Sequence, residues 1–114
     1  MTESNINIKV LLDEEKVPQN ITWNATGSTA EETQKAKAMF LALWDSVEKS
    51  AMRIDLWTKD MMVDEMADFY YQVFVTMADT FQRATQNAEI AADIKSFAQQ
   101  FHKKFMEKEV EKNS

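Results

Sequence analysis

Near residue 60 the spacing of apolar residues changes from every second position to every third and fourth, and that switch constrains the fold most. In the first half, Ile6, Ile8, Val10 and Leu12 alternate with Asn7, Lys9 and Leu11. Period two places one set of side chains on one face of a strand, so residues 6–12 are predicted as a half-buried strand. Residues 13–20 are charged and contain Pro18, the only proline, which predicts a turn. Ile21, Trp23 and Ala25 then alternate against Thr22 and Asn24, giving a second strand over 21–25 and a loose hairpin with the first. Thr26, Gly27, Ser28 and Thr29 end it; Gly27 is the only glycine.

Residues 30–49 are ambiguous locally. Ala, Leu, Met, Glu and Lys dominate, and their summed propensity favours a helix. The next segment argues otherwise. Met52, Ile54 and Leu56 alternate with Arg53, Asp55 and Trp57, and a strand there needs a neighbour. Residues 45–50 form a short polar connection with Asp and Ser at turn-favouring places. A second hairpin, 37–45 with 51–58, is therefore predicted. Its first strand holds the unbroken apolar run 38–44, as expected of a strand buried on both faces.

From residue 60 the pattern is helical. Met62, Met66, Phe69, Val73, Met77, Phe81 and Ala84 recur at helical spacing, widened by Tyr70 and Phe74. Asp60 is a candidate N-cap, with Asp64 and Glu65 in a first turn that favours negative charge. Asn87 is a candidate cap for a second helix carrying Ile90, Ile94, Phe97, Phe101 and Phe105, fraying from about Glu109. Strands followed by helices indicate an α+β fold. The expectation is a four-stranded antiparallel sheet of two hairpins, then two C-terminal helices packed on one face. Strands fall within 6–58 and helices within 61–110 of a single domain, 1–114.

Composition removes several function classes. The 114 residues include no cysteine, so disulfides and thiol catalysis are excluded. Nineteen acids against 13 bases give a net charge of −6, which disfavours nucleic acid and anionic lipid as partners. No apolar run approaches the ~20 residues of a membrane-spanning helix, and the N-terminus lacks a secretory pattern. A cytoplasmic protein without membrane insertion is expected. A single glycine cannot build a glycine-rich phosphate cradle.

Candidate chemistry is sparse. His102, the only histidine, sits among Phe101, Lys103 and Lys104 and reads as a stripe-edge residue, not a base or metal ligand. Asp60, Asp64 and Asp68 would stack on one helical face, with Glu65 beside them; three carboxylates there could hold a hard cation, but no calcium-loop pattern accompanies them. Catalytic residues, cofactor and metal are expected to be absent. The 12 aromatic residues are more suggestive. Trp57 lies on the polar-alternate face of its strand, and Trp44 ends the unbroken apolar run. If the sheet face away from the helices carries Trp57 with Met39, Leu41 and Leu43, or with Phe40, an apolar patch is left over. That points to homo-oligomerisation or a protein partner, with Trp44, Arg53 and Trp57 as contact residues.

One set of segments goes beyond generic pattern. Leu43-Trp44-Asp45, the run from Met52 through Arg53-Ile54-Asp55-Leu56-Trp57-Thr58-Lys59-Asp60 to Met61, Val63-Asp64-Glu65-Met66, and Met77-Ala78-Asp79-Thr80-Phe81 resemble the gliding motility-associated protein GldC family. Ile8-Lys9-Val10, Leu12-Asp13, Val17-Pro18 and Ile21-Thr22-Trp23 are similar too. The resemblance covers most of residues 6–85. It implies a small cytoplasmic accessory protein of gliding Bacteroidetes, not an enzyme, with a protein partner in the gliding machinery. The family supplies no catalytic or binding residue to carry over. The order of four strands then two helices is also similar to export chaperones of the SecB type, a likeness of topology alone. A chaperone or adaptor is thus an alternative, and a small-ligand or metal-binding domain around Asp64 is another.

Overall fold

A computed structural model describes residues 2–27 and 32–112. The chain forms two compact units, within Met1–Met61 and Met62–Ser114. The first holds β1 (Ile6–Leu12), β2 (Pro18–Ala25), β3 (Gln34–Ala36), β4 (Ala38–Asp45) and β5 (Ser50–Trp57). The second holds α1 (Val63–Thr85) and α2 (Ala88–Lys112). The class is α+β, as expected. Ser28 and Thr29, read from sequence as ending the first hairpin, lie outside the described residues.

The single four-stranded sheet is corrected to two antiparallel sheets, β1-β2-β3 and β4-β5. The reason lies at Lys37. Ala36 pairs with Ile21 of β2, whereas Ala38 pairs with Trp57 of β5. One residue therefore separates two ladders with different partners. The Lys37 carbonyl accepts the backbone N–H of Thr58 at 2.8 Å. The short β3 went unread because three residues, Gln34 to Ala36, are too few to show a period.

The first hairpin is tighter than its sequence suggests. β2 begins at Pro18, not Ile21. Proline is tolerated at a strand's first residue, where no ladder N–H is required. A bulge lets Leu12 oppose Pro18 while Leu11 opposes Asn20. The Asp13 carboxylate closes the turn by accepting N–H bonds from Glu15 (2.8 Å) and Val17 (2.9 Å). The second connection repeats the device: the Asp45 carboxylate accepts from Val47 and Glu48. Lys16 and Lys49 take left-handed φ values of 64° and 53° in these turns.

Lys59 also binds the Asp13 carboxylate. The Lys59 ammonium first, and then the Val17 and Glu15 N–H groups, hold the Asp13 carboxyl below its ordinary 3.8, against partial burial. A depressed carboxylate pKa stabilises the fold above the unfolded value and loses that contribution as pH falls through the folded one. Asp13→Asn should therefore lower the melting temperature most near neutral pH. The gap to the wild type should close below about pH 4. A gap constant from pH 7 to 2 would remove this role for Asp13.

In the helical unit, Asn87 caps α2 as expected, accepting the Ile90 N–H at 3.0 Å. Asp60 does not cap α1. The N-cap is Met62, whose N–H bonds the Glu65 carboxylate at 3.1 Å. α2 runs on to Lys112, past the expected fraying point. The helices pack on each other through small residues: Ala67, Ala78, Ala91 and Ala98 are the buried apolar positions of this unit. Around them Tyr70 and Phe74 of α1 meet Phe97 and Phe101 of α2. Asp79 and Lys95 form an ion pair across the same pair of helices at 2.7 Å.

Candidate functional site

The acidic cluster read from the sequence is not assembled as a cation site. Asp60 lies before α1, so it does not stack with Asp64 and Asp68 on a helix. Its carboxylate is 2.5 Å from the Thr58 hydroxyl. That hydrogen bond holds the Asp60 carboxyl below its ordinary value. Asp64 accepts the Glu65 N–H, and Glu65 serves the start of the helix. No group of three potential metal ligands occurs among the described residues. His102 sits at the helix–helix seam, its Nε2 3.6 Å from Asp68 and its ring 5.0 Å from Tyr71. The His102 and Asp68 side chains are both partly exposed.

The other candidates converge on the β4–β5 ribbon. Its register pairs Met39 with Leu56, Leu41 with Ile54, and Leu43 with Met52. Directly paired residues point to the same side. One face is therefore wholly apolar from Met39 to Leu43 and from Met52 to Leu56. The opposite face carries Ala38 with Trp57, Phe40 with Asp55, Ala42 with Arg53, and Trp44 with Ala51. This settles the register: Phe40 shares a face with Trp57, and Met39, Leu41 and Leu43 do not.

Trp44, Arg53 and Trp57 thus share one face. The tryptophans stand at opposite ends of the ribbon, about 20 Å apart at ~3.3 Å per residue. Arg53 lies between them. Its guanidinium bonds Asp55 at 2.9 Å and sits 5.8 Å from the centre of the Phe40 ring, within cation–π range. The expectation that the apolar run would be buried on both faces is corrected. No residue of β4 or β5 is buried. Trp44 is 69% exposed, Leu43 60%, Met52 61%, Ile54 50% and Trp57 57%. An unbroken apolar run identifies a strand with two apolar faces; it does not say what covers them.

The apolar surface continues onto the first sheet. Ile6, Ile8 and Val10 share a face with Ala25, Trp23 and Ile21. Ile6, Ile8, Ile21, Trp23, Ala36, Ala38 and Met39 line a groove of about 180 Å³ that joins this face to β4. Sequence alternation marked the separate strands, but the groove depends on β3 and β4 being adjacent in the chain. Val17 and Pro18 share a second groove, of about 250 Å³, with the Asp55–Trp57 end of β5. Neither groove brings together an acid–base pair or a nucleophile.

These surfaces offer apolar contact area. No helix among the described residues is long and apolar enough to cross a membrane. No curated protein and no solved structure matches the chain. The family model described as gliding motility-associated protein GldC-like matches residues 18–107, which takes in β2 through most of α2. With most of its length matched, the chain belongs to the GldC-like family of gliding motility-associated proteins.

Proposed function

We propose that the protein is a non-enzymatic accessory component of gliding motility that acts in the cytoplasm by binding another protein of the machinery. The observation supporting this reading is the β4–β5 ribbon: two strands, both faces rich in large apolar side chains, none of them buried. An isolated two-stranded ribbon is marginal in water, and exposed apolar patches of this kind mark protein contacts. Trp57, Trp44 and Arg53 are the contact residues proposed on the mixed face, since Trp and Arg dominate interface energetics.

The test is capture of the tagged protein from a gliding bacterium, with soluble and membrane fractions analysed separately. One stoichiometric partner is expected. Trp57→Ala should weaken its binding by about tenfold or more while leaving helical content and melting temperature in place. Unchanged binding by that variant would remove the mixed face from the interface. Trp57 is more than half exposed, so its truncation leaves little cavity. The alternative of a SecB-like chaperone or adaptor draws on the same exposed Met and Leu side chains. Capture of many unrelated clients, with delayed aggregation of unfolded model chains, would favour it.

A further inference from the structure

The outer edge of β5 has a phase that the structure fixes. In an antiparallel ladder, hydrogen-bonded and non-hydrogen-bonded pairs alternate. Thr58 donates its N–H to Lys37, so 37/58 is a bonded pair. Counting along an unbroken register, the bonded pairs are Met39/Leu56, Leu41/Ile54 and Leu43/Met52. Ala51, Arg53, Asp55 and Trp57 consequently turn their N–H and C=O groups away from β4. No described strand pairs with that edge. It is eight residues long and carries large apolar side chains, the kind of edge that templates another strand.

We propose that this edge pairs with the same edge of a second copy, antiparallel about a two-fold axis at Ile54. Arg53 then lies opposite the partner's Asp55, and Asp55 opposite the partner's Arg53. Two features on the strand itself select this occupant and this register. The backbone phase requires outward-turned residues to oppose outward-turned residues, which excludes any shift by one. A shift by two in either direction places Arg53 against the partner's Arg53, or Asp55 against the partner's Asp55. Like charges directly opposite each other destabilise a sheet, and opposite charges stabilise it. Larger shifts shorten the ladder.

In the selected register the apolar face is also self-consistent. Ile54 meets the partner's Ile54, and Met52 meets the partner's Leu56. The two ribbons become one four-stranded antiparallel sheet with a continuous apolar face, which removes the weakness of an isolated two-stranded ribbon. Isologous pairing of one patch with itself is the commonest form of homodimer. This inference uses the strand edge and the reading above uses the strand faces, so either can fail alone.

The experiment is sedimentation equilibrium of the purified chain with charge-reversed variants. The wild type should sediment at twice the 13.2 kDa chain mass. Arg53→Asp alone and Asp55→Arg alone each place like charges opposite one another twice, and each should weaken self-association by about tenfold or more. Mixed in equal amounts, the two variants should form a mixed dimer, because every opposed pair again has opposite sign. Circular dichroism confirms that each variant keeps its strands and helices. A monomeric wild type, single variants that dimerise as well as the wild type, or two folded variants that stay apart when mixed would each overturn the proposal.

Discussion

Ile21→Ala should be the most damaging single truncation in the strand unit, lowering stability by about 3 kcal/mol. Ile21 is 1% exposed and is the only large side chain in the described chain that is fully buried. It sits in the central strand of the first sheet, opposite Val10 on one side and Ala36 on the other. Its removal deletes the transfer free energy of three carbons and leaves a cavity that flanking strands cannot close, because their register is fixed by the Asp13 turn and by Lys37. Two controls sharpen the test in urea titration. Ile21→Val should cost about 1 kcal/mol. Ile8→Ala, on the same face but 41% exposed, should cost well under half as much as Ile21→Ala. Equal costs for Ile8→Ala and Ile21→Ala would mean that Ile21 is not the centre of this core.

Phe101→Ala should have the corresponding effect in the helical unit, at about 2–3 kcal/mol. The Phe101 ring lies 5.3 Å from Phe74 in edge-to-face geometry, 6.1 Å from Tyr70 and 6.4 Å from Phe97. Three aromatic contacts vanish together. The estimate falls below that for a fully enclosed ring because Phe101 retains some exposure. The fully buried positions of this unit are alanines, so the aromatic rings carry most of the large apolar surface at the seam. Loss of helical ellipticity at lower urea than the wild type would report the change. His102→Ala, one residue along, removes only a tilted ring contact and a 3.6 Å approach to Asp68. It should shift the midpoint little, and a shift as large as that of Phe101→Ala would place the seam's weight on the polar side.

Much of this architecture was legible in the residues. Alternation over Ile6–Leu12 and over Met52–Trp57 reports strands because side chains on a pleat point to opposite sides. Asn87 signalled the second helix because its side-chain oxygen can accept an N–H left without a partner at a helix start. Residues 38–44 show where local preference fails. Their propensity is helical, yet they form β4, since pairing with β5 outweighs differences of a few tenths of a kcal/mol per residue. The stripe beginning at Met62 shows another limit. Met62 and Met77 are exposed, and the buried positions of α1 are Ala67 and Ala78, beside the Tyr70 and Phe74 that widen the stripe. A helix with a broad apolar arc does not reveal which part of the arc meets its neighbour.

The proposed contact residues follow the same division. That Trp44, Arg53 and Trp57 belong to a strand hairpin was readable from their spacing. That they share a face, with Phe40 and not with Met39, Leu41 or Leu43, was not. Side chains alternate with period two, so a slip of one residue exchanges the entire set. Here the Asp45 turn and the Thr58–Lys37 bond fix the phase.

By itself, then, the sequence determined the kinds of elements, the absence of cysteine chemistry and a family resemblance spread over most of residues 6–85. Those depend on local stereochemistry and on residue identity. Tertiary structure alone decided that one sheet becomes two at Lys37, which faces of β4–β5 are apolar and that no described strand pairs with its outer edges, and that Asp60 leaves the acidic face of α1. The strand pairings depend on hydrogen bonds between residues far apart in the chain, such as Thr58 to Lys37, which no local pattern encodes; Asp60 is set apart by a helix that starts only at Val63 and by its bond to the Thr58 hydroxyl.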